Sequence, residues 1–300
     1  MKRFLKYVEI TTKITSTLPF LLTLCYLFFA GRKIDPLKTI VFFAGMLLFD
    51  LTATAINNYE DTKTNHQSLQ FSRRVSFFII AILLTASMAM GILLVYLTDI
   101  VVLILGAICF AFGIIYSWGP VPISRQPYGE FFSGLFYGLF IPFILLYINS
   151  PKGTYFTYTW DSATSILTFN LNIVSLLKVA LFALLPACLT ANIMLANNIC
   201  DLEKDILVKR YTLPYYIGNK SLLLFELLYY IAYISIIIMV LLRMIPSLCL
   251  LTLLTFVPVN NNIKKFKKIQ NKSETFIMSV KNFIIIISAQ IVFLFIGSLV

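Results

Sequence analysis

The sequence predicts an all-α, polytopic membrane protein with about nine transmembrane helices. Hydrophobic residues make up 59% of the 300 residues and charged residues only 12%, whereas a soluble domain is usually about 45–50% apolar and about 25% charged. Several apolar runs also reach the roughly 20 residues that a helix needs to span a bilayer. Because backbone polar groups in lipid need internal partners, these runs must be helical.

The predicted spans follow the apolar runs in order: 14–30, 37–56, 75–97, 100–117, 131–149, 175–199, 221–242, 245–259 and 278–300. The eighth span is short because Pro246 and Pro258 bracket it. The longest connection on one side, 150–174, contains Trp160 and other aromatic residues, which indicates a re-entrant or interfacial segment. No soluble domain or low-complexity linker interrupts the pattern, so residues 1–300 are predicted to form a single transmembrane domain.

Charge is distributed unequally between the two predicted sides of the membrane. The net charge of +11 would indicate nucleic-acid binding in a soluble protein, but membrane topology explains it better. With a cytoplasmic N-terminus and alternating spans, the cytoplasmic side carries three times as many lysines and arginines as the other side, out of 24 in all. The positive-inside rule expects this bias. We therefore expect a cell-membrane protein with a cytoplasmic N-terminus and no nucleic-acid partner.

Acidic residues are concentrated in two short motifs, each at the cytoplasmic end of a predicted span. The first motif reads NNYEDTKTN (57–65) and the second reads NNICDLEKD (197–205). Each motif repeats an oxygen-bearing side chain every four residues: Asn57, Asp61 and Asn65 in the first, and Asn197, Asp201 and Asp205 in the second. Residues spaced by four lie near one face of a helix. Two helix ends are therefore predicted to present short rows of oxygen ligands on the same side.

The chemistry of these rows points to a metal–diphosphate site. Carboxylate and amide oxygens suit Mg²⁺, which is usually bound through few carboxylates together with substrate phosphates. Bridging Mg²⁺ could hold a diphosphate between the two rows and neutralise it as a leaving group. Basic residues are also near: Lys209 and Arg210 follow the second motif by one turn, and Arg125 lies in a third loop on the same side (116–130). A guanidinium can bind phosphate oxygens through two parallel hydrogen bonds.

Simpler interpretations exist for each of these features. Acidic, asparagine-rich turns at helix ends also serve as caps and solvated loops, and the basic residues could act only as topology determinants. The cluster KKFKK (264–268) is better explained by topology or by anionic lipid than by a site. Asp50 lies inside a span, where an acidic residue is a functional candidate by default, but solvation near the helix end explains it equally well.

The two motifs resemble those of the UbiA superfamily of intramembrane prenyltransferases. The first motif is similar to the family's NDxxDxxxD and the second to its DxxxD segment. The stretch NNICDLEKDILVKRYTLPYYIG (197–218) is most similar to the 1,4-dihydroxy-2-naphthoate branch, which reads roughly NNxRDxxxDxxxGKxTL. The loop from Tyr116 to Glu130 resembles a loop of that branch that ends in Gly-Glu.

Some positions depart from the family pattern. Asn58 and Asn65 stand where the family has Asp, and Cys200 stands where the branch often has Arg. Lys209 occupies the usual Gly position and Arg210 the usual Lys position.

The resemblance implies nine helices around a central cavity and an Mg²⁺-dependent reaction. A polyprenyl group would pass from polyprenyl diphosphate to 1,4-dihydroxy-2-naphthoate, giving demethylmenaquinone in menaquinone biosynthesis. The implied catalytic residues are Asp61, Asp201 and Asp205. The implied metal ligands are Asn57, Asp61, Asn65, Asp201 and Asp205. The implied substrate-binding residues are Asn57, Asn58, Asn197, Lys209, Arg210, Arg125 and Tyr116.

Two alternatives remain open at this point. The first is a prenyltransferase that acts on 4-hydroxybenzoate or on another aromatic or lipid acceptor. The second is a non-enzymatic membrane transporter or lipid-binding protein. Transporters tend to place ionisable residues near the bilayer midplane, often in inverted repeats. Here the acidic motifs lie at one membrane face and run in the same sense, which favours an enzyme.

Overall fold

The structure is a computed structural model that describes residues 1–63, 68–162 and 164–299. The predicted metal ligand Asn65 lies outside these residues. The α-helices of the described chain are α1 (Lys2–Tyr7), α2 (Ile14–Phe29), α3 (Pro36–Asp61), α4 (Arg73–Leu97), α5 (Ile100–Ser117), α6 (Gly129–Ser133), α7 (Ile141–Ile148), α8 (Ile173–Leu207), α9 (Leu213–Ile217), α10 (Lys220–Leu241), α11 (Phe256–Lys268) and α12 (Ile277–Gly297). A π-helical segment, Gly134–Phe140, joins α6 to α7.

Eight helical segments of the described chain are long and apolar enough to cross a membrane. They are α2 to α5, the continuous α6–α7 unit, α8, α10 and α12, and each corresponds to one predicted span. The prediction of an all-α, polytopic membrane fold is therefore confirmed. Side chains from α2, α8, α10 and α12 form the core of the bundle, where Leu22, Leu189, Phe225 and Ile286 are almost completely buried.

The eighth predicted span, 245–259, is helical as well, and the helical segment continues past residue 259. A 3₁₀ helix, Ser247–Thr255, continues directly into α11. With rises of about 2.0 Å per 3₁₀ residue and 1.5 Å per α residue, the pair extends about 37 Å, which exceeds the roughly 30 Å of a hydrocarbon core. Lys267 at the end of α11 pairs with Glu226 near the start of α10, at 2.5 Å. The combined segment therefore runs antiparallel to α10 through the bundle.

Two helices that carry the motifs are longer than the hydrocarbon core. The 35 residues of α8 extend about 52 Å and the 26 residues of α3 about 39 Å, against a core of about 30 Å. The ends of both helices can therefore project past the hydrocarbon into a polar environment. Asp61 is the last residue of α3, and Asp201 and Asp205 lie in the last two turns of α8.

The connection between α7 and α8 contains a β-hairpin that the sequence analysis did not predict. Strand β1 (Phe156–Asp161) pairs antiparallel with β2 (Ile166–Leu171). Side chains alternate between the faces of a strand, so one face collects apolar residues from both strands. That face is formed by Phe156, Tyr158, Trp160, Leu167, Phe169 and Leu171, of which all but Phe156 are exposed. A re-entrant or interfacial position of this connection stays a prediction.

The π-helical segment packs against α8 at very short range. A Cβ added to Gly138 would lie 2.2 Å from Ala187 Cα, and one added to Gly134 would lie 3.0 Å from Ala187 O. Small residues spaced by four positions let transmembrane helices approach in this way. This contact fixes the side of the α6–α7 unit that faces the cavity described below.

Candidate active site

A large cavity lies between α3, α4, α5, the α6–α7 unit and α8, with a volume of about 1720 Å³. Along α3 its lining runs from Asp61 to Val41, which is about 30 Å of helix. The motif end of the cavity is polar, and the rest is mostly apolar. All ten candidate site residues within the described chain line it: Asn57, Asn58, Asp61, Tyr116, Arg125, Asn197, Asp201, Asp205, Lys209 and Arg210.

The first motif is held by hydrogen bonds at the end of α3. Asn57 Nδ2 donates to Asp61 Oδ2 at 3.2 Å, and Ser117 Oγ, at the end of α5, donates to Asn57 Oδ1 at 3.0 Å. Asn58 Nδ2 instead donates to the backbone oxygen of Tyr7 at 2.8 Å. Asn58 therefore also ties the N-terminal helix to α3, a role that the sequence did not reveal.

The second motif faces a basic residue from another part of the chain. Lys272, in the turn before α12, donates from Nζ to Asp201 Oδ2 at 2.5 Å and to Asn197 Oδ1. Asp205 is buried, and its Oδ2 has no hydrogen-bond partner among the described residues. The row of oxygens on α8 is thus partly engaged by an ammonium group and partly unsatisfied.

Arg210 lies between the two motifs. Its Nη1 is 4.0 Å from Asp61 Oδ2, and its Nε is 3.8 Å from Asp205 Oδ1. The preceding residue, Lys209, lies just past the end of α8 in a left-handed conformation with φ +56°. This conformation explains why a glycine is favoured at this position.

The third loop closes the same end of the cavity. The backbone N–H of Tyr211 donates to Arg125 O at 3.0 Å, which joins this loop to the segment after the second motif. Asn198 Nδ2 donates to Glu130 Oε1 at 2.9 Å, and both side chains are buried. Three loops that are distant in sequence therefore meet at one mouth.

The UbiA prenyltransferase family model matches residues 17–286. The chain belongs to this family. It is therefore a prenyltransferase, and the transporter interpretation is set aside. The resemblance that the two motifs indicated is confirmed, and the match covers the helices that form the cavity.

Known UbiA proteins resemble the chain in fold across nearly its whole length. A UbiA homolog from Archaeoglobus fulgidus, solved with GPP and Mg²⁺, superposes with a TM-score of 0.66 at 14% identity and covers 99% of this chain and 100% of its own. A structure described for digeranylgeranylglyceryl phosphate synthase has the same TM-score at 17% identity, covering 99% and 98%. At these identities the similarity establishes the shared fold.

One curated relative shares more sequence over a shorter stretch. The 1,4-dihydroxy-2-naphthoate octaprenyltransferase of Bacillus subtilis (strain 168) is 30% identical over 118 residues. The match spans 39% of this chain and 31% of that protein. It therefore covers about a third of the relative's length.

The donor set of this UbiA site fits a hard cation. Within the described part of the two motifs, the side chains that line the cavity and could bind a metal do so through oxygen atoms, from Asn57, Asn58, Asp61, Asn197, Asp201 and Asp205. Asp205 contributes a buried carboxylate oxygen without a hydrogen-bond partner among the described residues. Among the described residues, however, no three acidic, His or Cys side chains are already gathered into a metal cluster. A few carboxylate and amide oxygens without a complete protein cage suit Mg²⁺, because this ion is usually held by one or two carboxylates while substrate phosphates complete its coordination shell.

Two features of the cavity were missed or misjudged from the sequence. Lys272 was counted only as a topology residue, although its position just before the last span on the motif side was a usable signal. Lys13 was also counted as a loop residue, but it is only 4% exposed and pairs with Asp50, which is 6% exposed, at 2.8 Å. Solvation therefore does not explain Asp50, and both residues line the cavity.

Proposed function

We propose that the protein transfers a polyprenyl group from a polyprenyl diphosphate to 1,4-dihydroxy-2-naphthoate. The products are demethylmenaquinone in its reduced form, CO₂ and diphosphate. The observation that carries this proposal is one cavity in which both acidic motifs and five basic residues surround the mouth, while most of the interior is apolar. The basic residues are Arg125, Lys204, Lys209, Arg210 and Lys272. A substrate with a diphosphate head and a long hydrocarbon tail has the same division of polarity.

The residues at the mouth bind the diphosphate. Asp61, Asp201 and Asp205, with Asn57, would hold Mg²⁺, and Asn65 remains a proposed ligand outside the described residues. When bound, Mg²⁺ neutralises the charge that develops on the departing diphosphate. Arg210, between the motifs, donates hydrogen bonds to phosphate oxygens, and Lys209 and Arg125 add positive charge at the same mouth.

The interior of the cavity holds the prenyl chain and excludes water. Phe110, Phe112, Phe136 and Phe140 line it, and the rings of Phe112 and Phe136 lie 5.9 Å apart. Aromatic faces attract cations, so these rings stabilise the allylic carbon as its bond to oxygen breaks. Excluding water favours attack by the aromatic acceptor over hydrolysis.

The naphthoate acceptor is supported by two observations. The second motif is most similar to the naphthoate branch, and the Bacillus subtilis relative carries that activity in its name. Tyr116 lines the cavity near the mouth, which supports its proposed contact with the acceptor. Transfer to 4-hydroxybenzoate or to a lipid acceptor is the alternative within the same chemistry.

A direct assay tests this proposal. Membranes that contain the protein would be incubated with farnesyl diphosphate, Mg²⁺ and either 1,4-dihydroxy-2-naphthoate or 4-hydroxybenzoate, and the products identified by mass. We expect prenylated naphthoquinone that disappears with EDTA and with Asp61→Asn. The matched control is Glu60→Gln, because Glu60 is the adjacent acid but pairs with Lys63 at 2.7 Å and does not line the cavity. Product with hydroxybenzoate alone would overturn the naphthoate assignment.

We also propose that the mouth of the cavity faces the cytoplasm from the cell membrane. The excess of basic residues on this side supports the orientation. If the segment from the 3₁₀ helix through α11 crosses the membrane, the N- and C-termini lie on opposite sides. A reporter fused to the C-terminus and active only outside the cytoplasm would give a signal, and no signal would contradict the proposed topology.

A further inference from the structure

A buried polar cluster lies in the wall of the cavity, away from both motifs. Lys13 Nζ contacts Asp50 Oδ1 at 2.8 Å and Thr54 Oγ1 at 2.5 Å. Ser16 Oγ donates to Asp50 Oδ2 at 2.7 Å, and Tyr137 OH donates to Asp50 Oδ1 at 2.9 Å. Three separate elements therefore direct polar groups at one carboxylate: the start of α2, the middle of α3 and the π-helical segment.

The cluster occupies a specific depth in the cavity. Asp50 and Asn57 are seven residues apart, so they share a face of α3 and are separated by about 10 Å along its axis. Every member of the cluster lines the cavity, and so do the neighbouring apolar residues Phe49 and Phe136. The carboxylate thus lies just inside the predicted diphosphate site, where an aromatic acceptor must meet the allylic carbon.

The cluster presents hydrogen-bond acceptors to the cavity, not donors. Lys13 has three N–H donors, and these contact Asp50 O at 3.0 Å, Asp50 Oδ1 and Thr54 Oγ1. The donors of the ammonium are therefore directed at the Asp50 side of the cluster and at Thr54, and not at the cavity. A carboxylate has about four acceptor positions, and three are used by Lys13, Tyr137 and Ser16. Capacity remains for a hydroxyl group of a bound ring.

Protein stability alone does not account for this arrangement. Replacing a buried ion pair with apolar residues of similar size is often neutral or stabilising, and ionisable residues within a membrane usually mark a functional path. The backbone supplies an independent observation. Tyr137 lies in the π-helical turn Gly134–Phe140, and such turns occur frequently at functional sites because they redirect side chains.

We propose that Asp50 is the proton acceptor for the hydroxyl group of the aromatic acceptor, with Tyr137 positioning that hydroxyl; this role rests on the proposed function. The ring carbon that bears the carboxylate attacks the allylic carbon, and the carbon–oxygen bond breaks with its electron pair leaving on diphosphate. The adjacent hydroxyl becomes a carbonyl as its proton passes to Asp50. Loss of CO₂ returns an electron pair to the ring, and the oxygen takes the proton back from Asp50.

A double substitution tests the role of the cluster without leaving an unpaired charge. Lys13→Met with Asp50→Leu removes the ion pair and keeps the volume. We expect the variant to fold, to bind farnesyl thiodiphosphate with Mg²⁺ as the wild type does, and to lose about 100-fold or more in the rate of naphthoate prenylation, the usual scale for a general base. The matched control, Glu226→Leu with Lys267→Met, removes an ion pair away from the cavity and should change neither measurement.

The outcomes separate this inference from the proposed function. Prenylation at the wild-type rate by the folded double variant would overturn the role of Asp50, and so would loss of thiodiphosphate binding. If the double variant does not fold, the Tyr137→Phe variant tests the proposal instead, because this substitution removes only a hydroxyl group. We expect that variant to raise the KM for the acceptor about tenfold and to leave thiodiphosphate binding unchanged, whereas an unchanged acceptor KM would overturn the proposal. Absence of product from the wild type with either acceptor would overturn the proposed function itself.

Discussion

Arg210 reaches Asp61 across the mouth of the cavity, with Nη1 4.0 Å from Oδ2. The distance exceeds that of a strong charge-assisted hydrogen bond, which is about 2.7–2.9 Å. Arg210 Nε has no hydrogen-bond partner among the described residues. The guanidinium therefore balances the charge of the two motifs while donors remain for a phosphate group.

Substitution of Arg210 should weaken binding of the prenyl diphosphate. Removing a hydrogen bond to a charged group costs about 1.5–3 kcal/mol, so Arg210→Ala should raise the KM for farnesyl diphosphate by about tenfold to a hundredfold. Arg210→Lys keeps the positive charge without the planar guanidinium, so its KM should lie between those of the wild type and Arg210→Ala. Steady-state kinetics with Lys268→Ala as control would measure this. An unchanged KM in Arg210→Ala would contradict the role.

Loss of Lys272 should strengthen binding of Mg²⁺ in the absence of substrate. The ammonium of Lys272 lies 2.5 Å from Asp201 Oδ2 and neutralises that carboxylate. A Mg²⁺ ion must therefore displace the ammonium or bind against its electrostatic repulsion. The side chain is 38% exposed, and solvent screening limits the effect. We expect Lys272→Met to lower the Kd for Mg²⁺ several-fold in a calorimetric titration, and Lys264→Met to leave it unchanged. Weaker binding would show that Lys272 supports the metal site.

Glycine in place of Lys209 should stabilise the folded protein. Lys209 has φ +56°, a conformation that costs a non-glycine residue about 1–2 kcal/mol. Lys209→Gly should therefore raise the Tm in detergent. Lys204 lies five residues earlier, inside α8, and provides the control. Lys204→Gly should lower the Tm, because glycine destabilises a helix interior by about 1 kcal/mol. A lower Tm for Lys209→Gly would indicate that its side chain makes a stabilising contact.

The apolar face of the β-hairpin should rest in the membrane interface. A two-stranded hairpin is marginally stable alone, and aromatic residues favour the interface. In a Trp118→Phe background, the fluorescence of Trp160 should be quenched by brominated lipids. The control variant combines Thr159→Trp with Trp160→Phe and Trp118→Phe. It therefore carries its one indole on the polar face of the hairpin. Equal quenching from both faces would contradict this orientation.

The sequence was sufficient to predict the membrane class and the two rows of oxygen-bearing side chains. Hydropathy depends on composition over about 20 residues, so eight spans could be read from single runs. The repeated four-residue spacing at 57–61 and 197–205 reflects the helical period, so the two rows of oxygens were also visible. The structure then placed both rows at one cavity.

Local irregularities were harder to predict. The first strand of the hairpin was visible in the sequence, since Phe156, Tyr158 and Trp160 alternate with polar residues. The aromatic residues of this connection were instead interpreted as part of a re-entrant or interfacial segment. The 3₁₀ helix before α11 had no recognisable sequence pattern, because a 3₁₀ helix differs from an α-helix in hydrogen bonding and not in composition.

Only the tertiary structure decided which charges are paired. Composition and the positive-inside rule assigned Lys13 and Lys272 to the membrane surface, yet each approaches an acid on a distant helix: Asp50 for Lys13 and Asp201 for Lys272. Helical periodicity places a side chain on a face of its own helix, but it carries no information about which other helix that face meets. That meeting depends on packing, such as the close contact of Gly138 with Ala187, and packing is a property of the whole bundle.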